Sequence, residues 1–139
     1  MKKIVAFALV LMLLFTNMCF VHAEAPAVRS SNYFHSYGVT IGDSGGGVLR
    51  ITFHCVGMGI CTQLGVASYE VERLNDDGEW VNASGLLEGQ TGSNVASYTF
   101  GRNFNGVAGE TYRVSVTFIC ALNGGVETKI HTSGTVTLK

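Results

Sequence analysis

TYRVSVTFICA, residues 111–121, is the stretch whose reading decides the fold. Tyr112, Val114, Val116, Phe118 and Cys120 fall on one side of an extended chain, and Arg113, Ser115 and Thr117 fall on the other. Successive side chains of a strand point to opposite faces. The alternation therefore predicts a strand with one face in a core and the other toward water. β-Branched and aromatic residues supply the apolar half, which suits a pleated, half-buried surface.

The same period recurs on either side of it. Residues 48–56 alternate Leu49, Ile51, Phe53 and Cys55 against Arg50, Thr52 and His54. Residues 33–41 read as a first strand, in which the aromatics Tyr33, Phe34 and Tyr37 straddle both faces, so that some must be exposed or meet a partner. Residues 67–74 read as a strand with Ala67, Tyr69 and Val71 inward and Ser68, Glu70 and Glu72 outward. Asn75, Asp76, Asp77 and Gly78 form a hairpin turn into a short partner strand, residues 79–83, that carries Trp80. Residues 85–94 are polar and glycine-containing, the composition of a loop, and residues 95–104 form another strand. Residues 105–109 turn the chain into the decisive stretch. Asn123, Gly124 and Gly125 turn it out again into a last strand, residues 126–138, where Gly134 marks a bulge or bend. No helical period competes, and the one proline, Pro26, precedes the first strand. About seven short strands separated by turns predict an all-β fold, a single β-sandwich, with a barrel as the alternative.

The start of the 139-residue chain carries an address. Lys2 and Lys3 precede an uncharged apolar run, residues 4–15, and Val21, His22 and Ala23 follow with a small residue at the cut. This is the pattern of a secretory signal peptide, residues 1–23, cleaved after Ala23. The run is shorter than the ~20 residues a spanning helix needs, so no membrane span is expected after cleavage. Asn17 and Met18 ahead of Cys19 are not the small residues of a lipoprotein cleavage site, and Cys19 is expected to leave with the signal. Residues 24–32 read as a flexible leader and residues 33–139 as one domain. Without Lys2 and Lys3 the chain keeps seven basic residues against ten acidic ones, with no basic run. Nucleic acid and anionic membrane surfaces are poor partners for such a chain.

AGETYRVSVTF, residues 108–118, resembles the corner and following strand of immunoglobulin-like and fibronectin type III domains. In those domains a tyrosine ties its hydroxyl to the preceding corner. Tyr112 occupies that place. SYEVERLNDDGEW, residues 68–80, is similar to a hairpin of fibronectin type III domains. Val114 stands where antibody domains have a cysteine, and the strand before Asn75 lacks their tryptophan. The resemblance is to small secreted bacterial β-sandwich proteins without assigned activity; it implies a fold and no single function. In such a sandwich the strands carrying Cys55 and Cys120 lie in opposite sheets and run toward the same end, so a Cys55–Cys120 disulfide is expected. Cys61 competes for Cys120, and a Cys61–Cys120 bridge is the alternative. Three cysteines after cleavage leave at least one thiol over.

Several motifs offer sharper chemistry and fail on spacing. Gly42 to Gly46 spells GDSGG, the nucleophile motif of trypsin-like proteases. That family needs a histidine and an aspartate ahead of the serine and a chain about twice as long. His35 alone precedes Ser44 beyond the expected signal peptide, so the string reads as a glycine-rich turn and not as a catalytic site. The spacing between Cys55 and Cys61 is not that of a zinc knuckle, and His54 and Cys55 point to opposite faces, so neither a metal nor another cofactor is expected. His35 and His131 read as surface strand residues. Glu70 and Glu72 share one face ~7 Å apart, as in a glycosidase pair, but on an open strand and not in a cleft. Glu70, Glu72, Arg113, Glu127 and Lys129 are expected on outward faces as a cross-strand ladder. Asn82, Ala83 and Ser84 form a glycosylation sequon that matters only in a eukaryotic host.

The functional expectation is a secreted, non-catalytic module that binds an extracellular protein or glycan. Its contacts would come from loops at one end, residues 57–65 and 123–125, with Met58, Ile60 and Trp80 as contact residues. The alternatives are an assembly subunit whose edge strands pair with other copies, so that self-association is part of the expectation, and a small membrane-active toxin.

Overall fold

The computed structural model describes residues 31–139. The expected signal peptide, Cys19 and residues 24–30 of the expected leader lie outside the described residues. Ten strands follow in order: β1 (Phe34–Asp43), β2 (Val48–Cys61), β3 (Gln63–Leu74), β4 (Trp80–Asn82), β5 (Leu87–Glu88), β6 (Thr91–Gly92), β7 (Val95–Asn105), β8 (Thr111–Leu122), β9 (Gly125–Thr132) and β10 (Val136–Thr137). One sheet runs β1-β2-β7. In the other, β8 pairs with β3 on one side and with β9 and β10 on the other, while β4, β5 and β6 line the far side of β3. All pairings are antiparallel, and the two sheets make a β-sandwich.

The alternation of β2 and β8 builds the core. Leu49, Ile51, Phe53 and Cys55 face Val114, Val116, Phe118 and Cys120, and all are at most 2% exposed. Leu64, Val66, Tyr69 and Val71 of β3 complete the layer. Burying a side chain of this size is worth about 1.5–3 kcal/mol. Phe53 stacks on Phe100 at 4.7 Å between centroids and meets Tyr69 at 5.0 Å, joining the two sheets through their aromatic rings.

Irregularities decide where simple alternation breaks. Ala67, expected inward, is exposed, because the register of β3 against β8 shifts between Val66 and Ser68 and leaves Ala67 as the extra residue. A similar shift between Phe34 and Ser36 turns both Phe34 and Tyr37 toward the core, their rings 5.2 Å apart. Residues ahead of Tyr33 are tied to the domain: the Ser31 hydroxyl donates to Glu127 Oε2 at 2.5 Å and accepts the Phe34 N–H at 2.7 Å.

Two expected loops are strand. Residues 57–65 do not form a loop: β2 continues to Cys61 and β3 begins at Gln63, so the chain passes from one sheet to the other at Thr62. Backbone partners from both sheets make this possible. The Met58 N–H donates to the Tyr33 carbonyl at 2.8 Å and the Thr62 N–H to the Ala121 carbonyl at 2.9 Å. Within residues 85–94, β5 and β6 lie along β3. The glycines there serve close approach: a β-carbon on Gly65 would strike the Gln90 carbonyl, and one on Gly89 would strike that of Val66.

The last strand is reversed from expectation at its charged positions. Glu127 and Lys129 lie opposite Cys120 and Phe118, on the core side of the edge strand β9, paired with each other at 2.7 Å. Val126 and Ile130 take the solvent face, 63% and 70% exposed. The hairpin register fixes this, since Ala121 faces Val126 and Leu122 faces Gly125 across the turn. The strand ends before Gly134 and resumes as β10.

Tyr112 is 2% exposed and its hydroxyl accepts the Val107 N–H at 2.9 Å, closing the corner before β8. Tyr112→Phe keeps the ring and strands that N–H. The substitution is expected to lower stability by about 1–2 kcal/mol, read as a lower urea midpoint with an unchanged m value.

Candidate functional site

One end of the sandwich gathers what the sequence placed in two loops. The crossing from β2 to β3 and the β8–β9 turn lie side by side there: Gly59 approaches the Leu122 side chain, and the Thr62 hydroxyl donates to the Ala121 carbonyl at 3.2 Å. Tyr33 closes the end from the β1 side, its hydroxyl lying over Gly125 so closely that any side chain there would collide. Met58 and Ile60 project from this surface, 57% and 70% exposed, and half-buried Leu122 lies beneath. Alternation along β2 sends Met58 and Ile60 outward while Gly57 and Cys61 point in. Two aliphatic side chains are thus held in water by a backbone bonded to both sheets.

Behind this end lie the three thiols, all buried. Cys61 Sγ stands 3.0 Å from Cys120 Sγ, whereas the Cys55 thiol turns to the Tyr98 carbonyl at 3.6 Å. The structure therefore brings together Cys61 and Cys120, the second of the two expected pairings. Burial pushes the Cys55 thiol up to about 11, helped by Cys61. Burial also pushes Cys120 up to about 12, helped by its hydrogen bond with Cys61. Thiols held protonated at neutral pH are poor nucleophiles and poor metal ligands. His54 and Cys55 do point to opposite faces: Cys55 is 2% exposed, while the His54 ring lies outside over Gly38. Among the described residues no three His, Cys, Asp or Glu side chains converge as a ligand set.

The GDSGG string forms the β1–β2 turn. Asp43 Oδ1 accepts the Gly45 N–H at 2.8 Å and Oδ2 accepts the Lys139 N–H at 3.1 Å, so its carboxylate braces the turn against the last residue. Ser44 is exposed at the tip, its N–H donating to the Val48 carbonyl at 2.9 Å. Trp80 is half-buried under the Arg113 guanidinium, 4.3 Å from the ring centroid, and Arg113 donates to Glu72 at 2.6 Å. That network engages Trp80 and Glu72 within the sheet. His131 packs edge-on against Tyr37, and His35 is exposed. A depression beside the corner, lined by Arg73, Asn82, Phe104 and Val107, carries one charge, and Arg73 is paired with Glu110 at 3.5 Å.

Tyr33 is one of the three aromatics of which some are expected to be exposed or to meet a partner; sequence reasoning missed Leu122, Val126 and Ile130 as surface-shaping residues. The signal for the last two was in GVETKIHT, residues 125–132, where Val126 and Ile130 share one parity and Glu127 and Lys129 the other.

The fold and this surface define a β-sandwich domain with an apolar end. No family model matches the chain, and no curated protein matches it. A crystal structure of a protein from Archaeoglobus fulgidus is similar at 14% identity, over 76% of this chain and 98% of that one, with a TM-score of 0.39.

Proposed function

We propose that the chain is a secreted, non-catalytic, fibronectin type III-like binding module that meets an extracellular protein through the end formed by Met58, Ile60 and the β8–β9 turn. The observation that carries this is the exposure of Met58 and Ile60 on a backbone fixed by both sheets. A rigid aliphatic projection loses little entropy on docking and gains by leaving water. Aliphatic side chains suit an apolar pocket on a protein better than a glycan, whose sugar rings stack on aromatic faces. The charged, uncharged and small-residue order of residues 1–23 supports export. The strand order β1-β2-β7 against β9-β8-β3-β4 and the Tyr112 hydrogen bond support the family resemblance. The hydrogen bonds within the GDSGG turn account for Asp43 without a catalytic role.

The test is an array of secreted proteins, cell-surface proteins and glycans probed with the purified chain and with the Met58→Ser/Ile60→Ser variant. The expected result is a protein ligand whose affinity falls at least about tenfold in the variant while the thermal midpoint is kept. Capture of nothing on the array, or equal binding by the variant, overturns the reading. Leakage of liposomes by the wild type alone would move this end from a protein partner to a membrane.

A further inference from the structure

We propose that β9 is a homodimerisation edge, and that two copies join by antiparallel β9–β9 pairing about a two-fold axis through Thr128. This goes beyond the binding reading and does not use the apolar end. On one side β9 pairs with β8; among the described residues no strand pairs with its other side. The direction of its backbone groups follows from the turn. Asn123 and Gly124 both have positive φ, 52° and 81°, the conformation of a two-residue type I′ hairpin that closes on a hydrogen-bonded pair, here Leu122 and Gly125. Bonded and non-bonded pairs then alternate along the ladder. Odd-numbered residues of β9 therefore bond to β8, and the Ser133 N–H continues that parity by donating to the Val114 carbonyl at 2.9 Å. The N–H and C=O groups of Val126, Thr128, Ile130 and Thr132 consequently point out from the edge.

The side chains select one register. With the axis through Thr128, Val126 meets Ile130 of the second copy on the solvent face, and Glu127 meets Lys129 of the second copy on the core-side face. Both contacts occur twice by symmetry, alongside about six backbone hydrogen bonds. Moving the axis to residue 127 sets two Glu127 carboxylates face to face. Moving it to residue 129 does the same to two Lys129 ammonium groups. Like charges directly opposite are destabilising and opposite charges stabilising. Core-facing charges on an edge strand ordinarily repel chance partners. Here their spacing makes the edge complementary to itself. The two outer sheets would become one continuous sheet through β8-β9 and its symmetry mate.

Sedimentation velocity of the purified protein in reductant, over a wide concentration range, tests this. The wild type is expected to shift from monomer to dimer as concentration rises. Thr128→Pro removes an N–H that faces outward and is tolerated at an edge, so this variant is expected to remain folded and monomeric. Glu127→Lys and Lys129→Glu are each expected to weaken the dimer about tenfold or more, and an equimolar mixture of the two to dimerise again, because mixing restores opposite charges. A wild type that stays monomeric throughout overturns the proposal. A dimer that survives Thr128→Pro, or that both charge variants leave intact, overturns it in favour of another interface. Loss of array binding by the Met58/Ile60 variant would leave every one of these results unchanged.

Discussion

Phe118→Ala is expected to destabilise the sandwich by about 3–5 kcal/mol, through lost transfer energy and the cavity left behind. Phe118 is fully buried at the middle of β8, opposite Val66 of β3 in register, with the Tyr37 ring of the other sheet 5.4 Å away. Collapse into the space is restricted because strands flank it on both sides. Domains of this size have total stabilities of about 5–15 kcal/mol, so the loss takes about a fifth or more of the whole. Urea unfolding would show a large fall in midpoint. The matched control is Thr117→Ala, one residue away on the outer face, which is expected to change stability by no more than about 0.5 kcal/mol. The contrast matters more than either value. A register slip by one residue exchanges the two faces, so comparable effects at residues 117 and 118 would refute the placement of β8.

The same contrast explains which parts of the fold were legible in the sequence. Residues 49–55 and 112–118 alternate without interruption, and each apolar member lies in the core. Period two is a local property, and a strand with one wet face displays it directly. Ala67 failed because a bulge is set by the partner strand and inserts a residue without changing composition. Residues 57–65 failed for a related reason. Glycine and polar residues there read as a turn, yet Gly57 is needed where a side chain would strike the Cys61 sulfur, and Gly65 where the chain nears Gln90. Glycine selected for proximity has the same letter as glycine selected for a turn.

The candidate site was legible as a location and less so as a surface. Both stretches named for the contact end do lie together, because β2 and β8 finish at the same end of the sandwich. Trp80 was singled out for its place on a short edge strand, but the Arg113 guanidinium covers its ring, a pairing between β4 and β8 that no spacing along the chain reveals. The charged residues of β9 were placed outward on the ordinary expectation for charge. At an edge strand the core side opens to water along one border, so Glu127 and Lys129 sit there at little desolvation cost and hold Ser31. The Lys129 and Ser31 hydrogen bonds keep the Glu127 carboxyl below the ordinary glutamate range. That tie is kept above the ordinary glutamate pKa and lost only as pH falls through the lowered one.

The cysteines give the other large effect. Oxidation of Cys61 and Cys120 by a small-molecule disulfide such as oxidised glutathione forms their S–S bond and passes two electrons and two protons to that disulfide, which leaves as two thiols. The bond would close a loop between residues 59 apart. Chain-entropy loss in the unfolded state then adds about 4 kcal/mol at 25 °C. Peptide mapping without reduction is expected to link Cys61 to Cys120 and to leave Cys55 alkylated only after unfolding. Adding reductant is expected to lower the urea midpoint by more than about 1 M. Cys120→Ser should abolish that redox dependence, and Cys55→Ser should retain it. A Cys55–Cys120 link, or equal midpoints with and without reductant, would contradict the geometry. The raised pKa of Cys120, about 12, adds a kinetic condition. A buried thiol with so little thiolate exchanges slowly once the sandwich has closed. The bond must therefore form while the chain is folding or locally open, and not on the finished domain. Protein folded under reductant and oxidised afterwards should accordingly acquire the bridge at a rate that rises with low concentrations of urea, whereas folding in the presence of the disulfide should yield it directly.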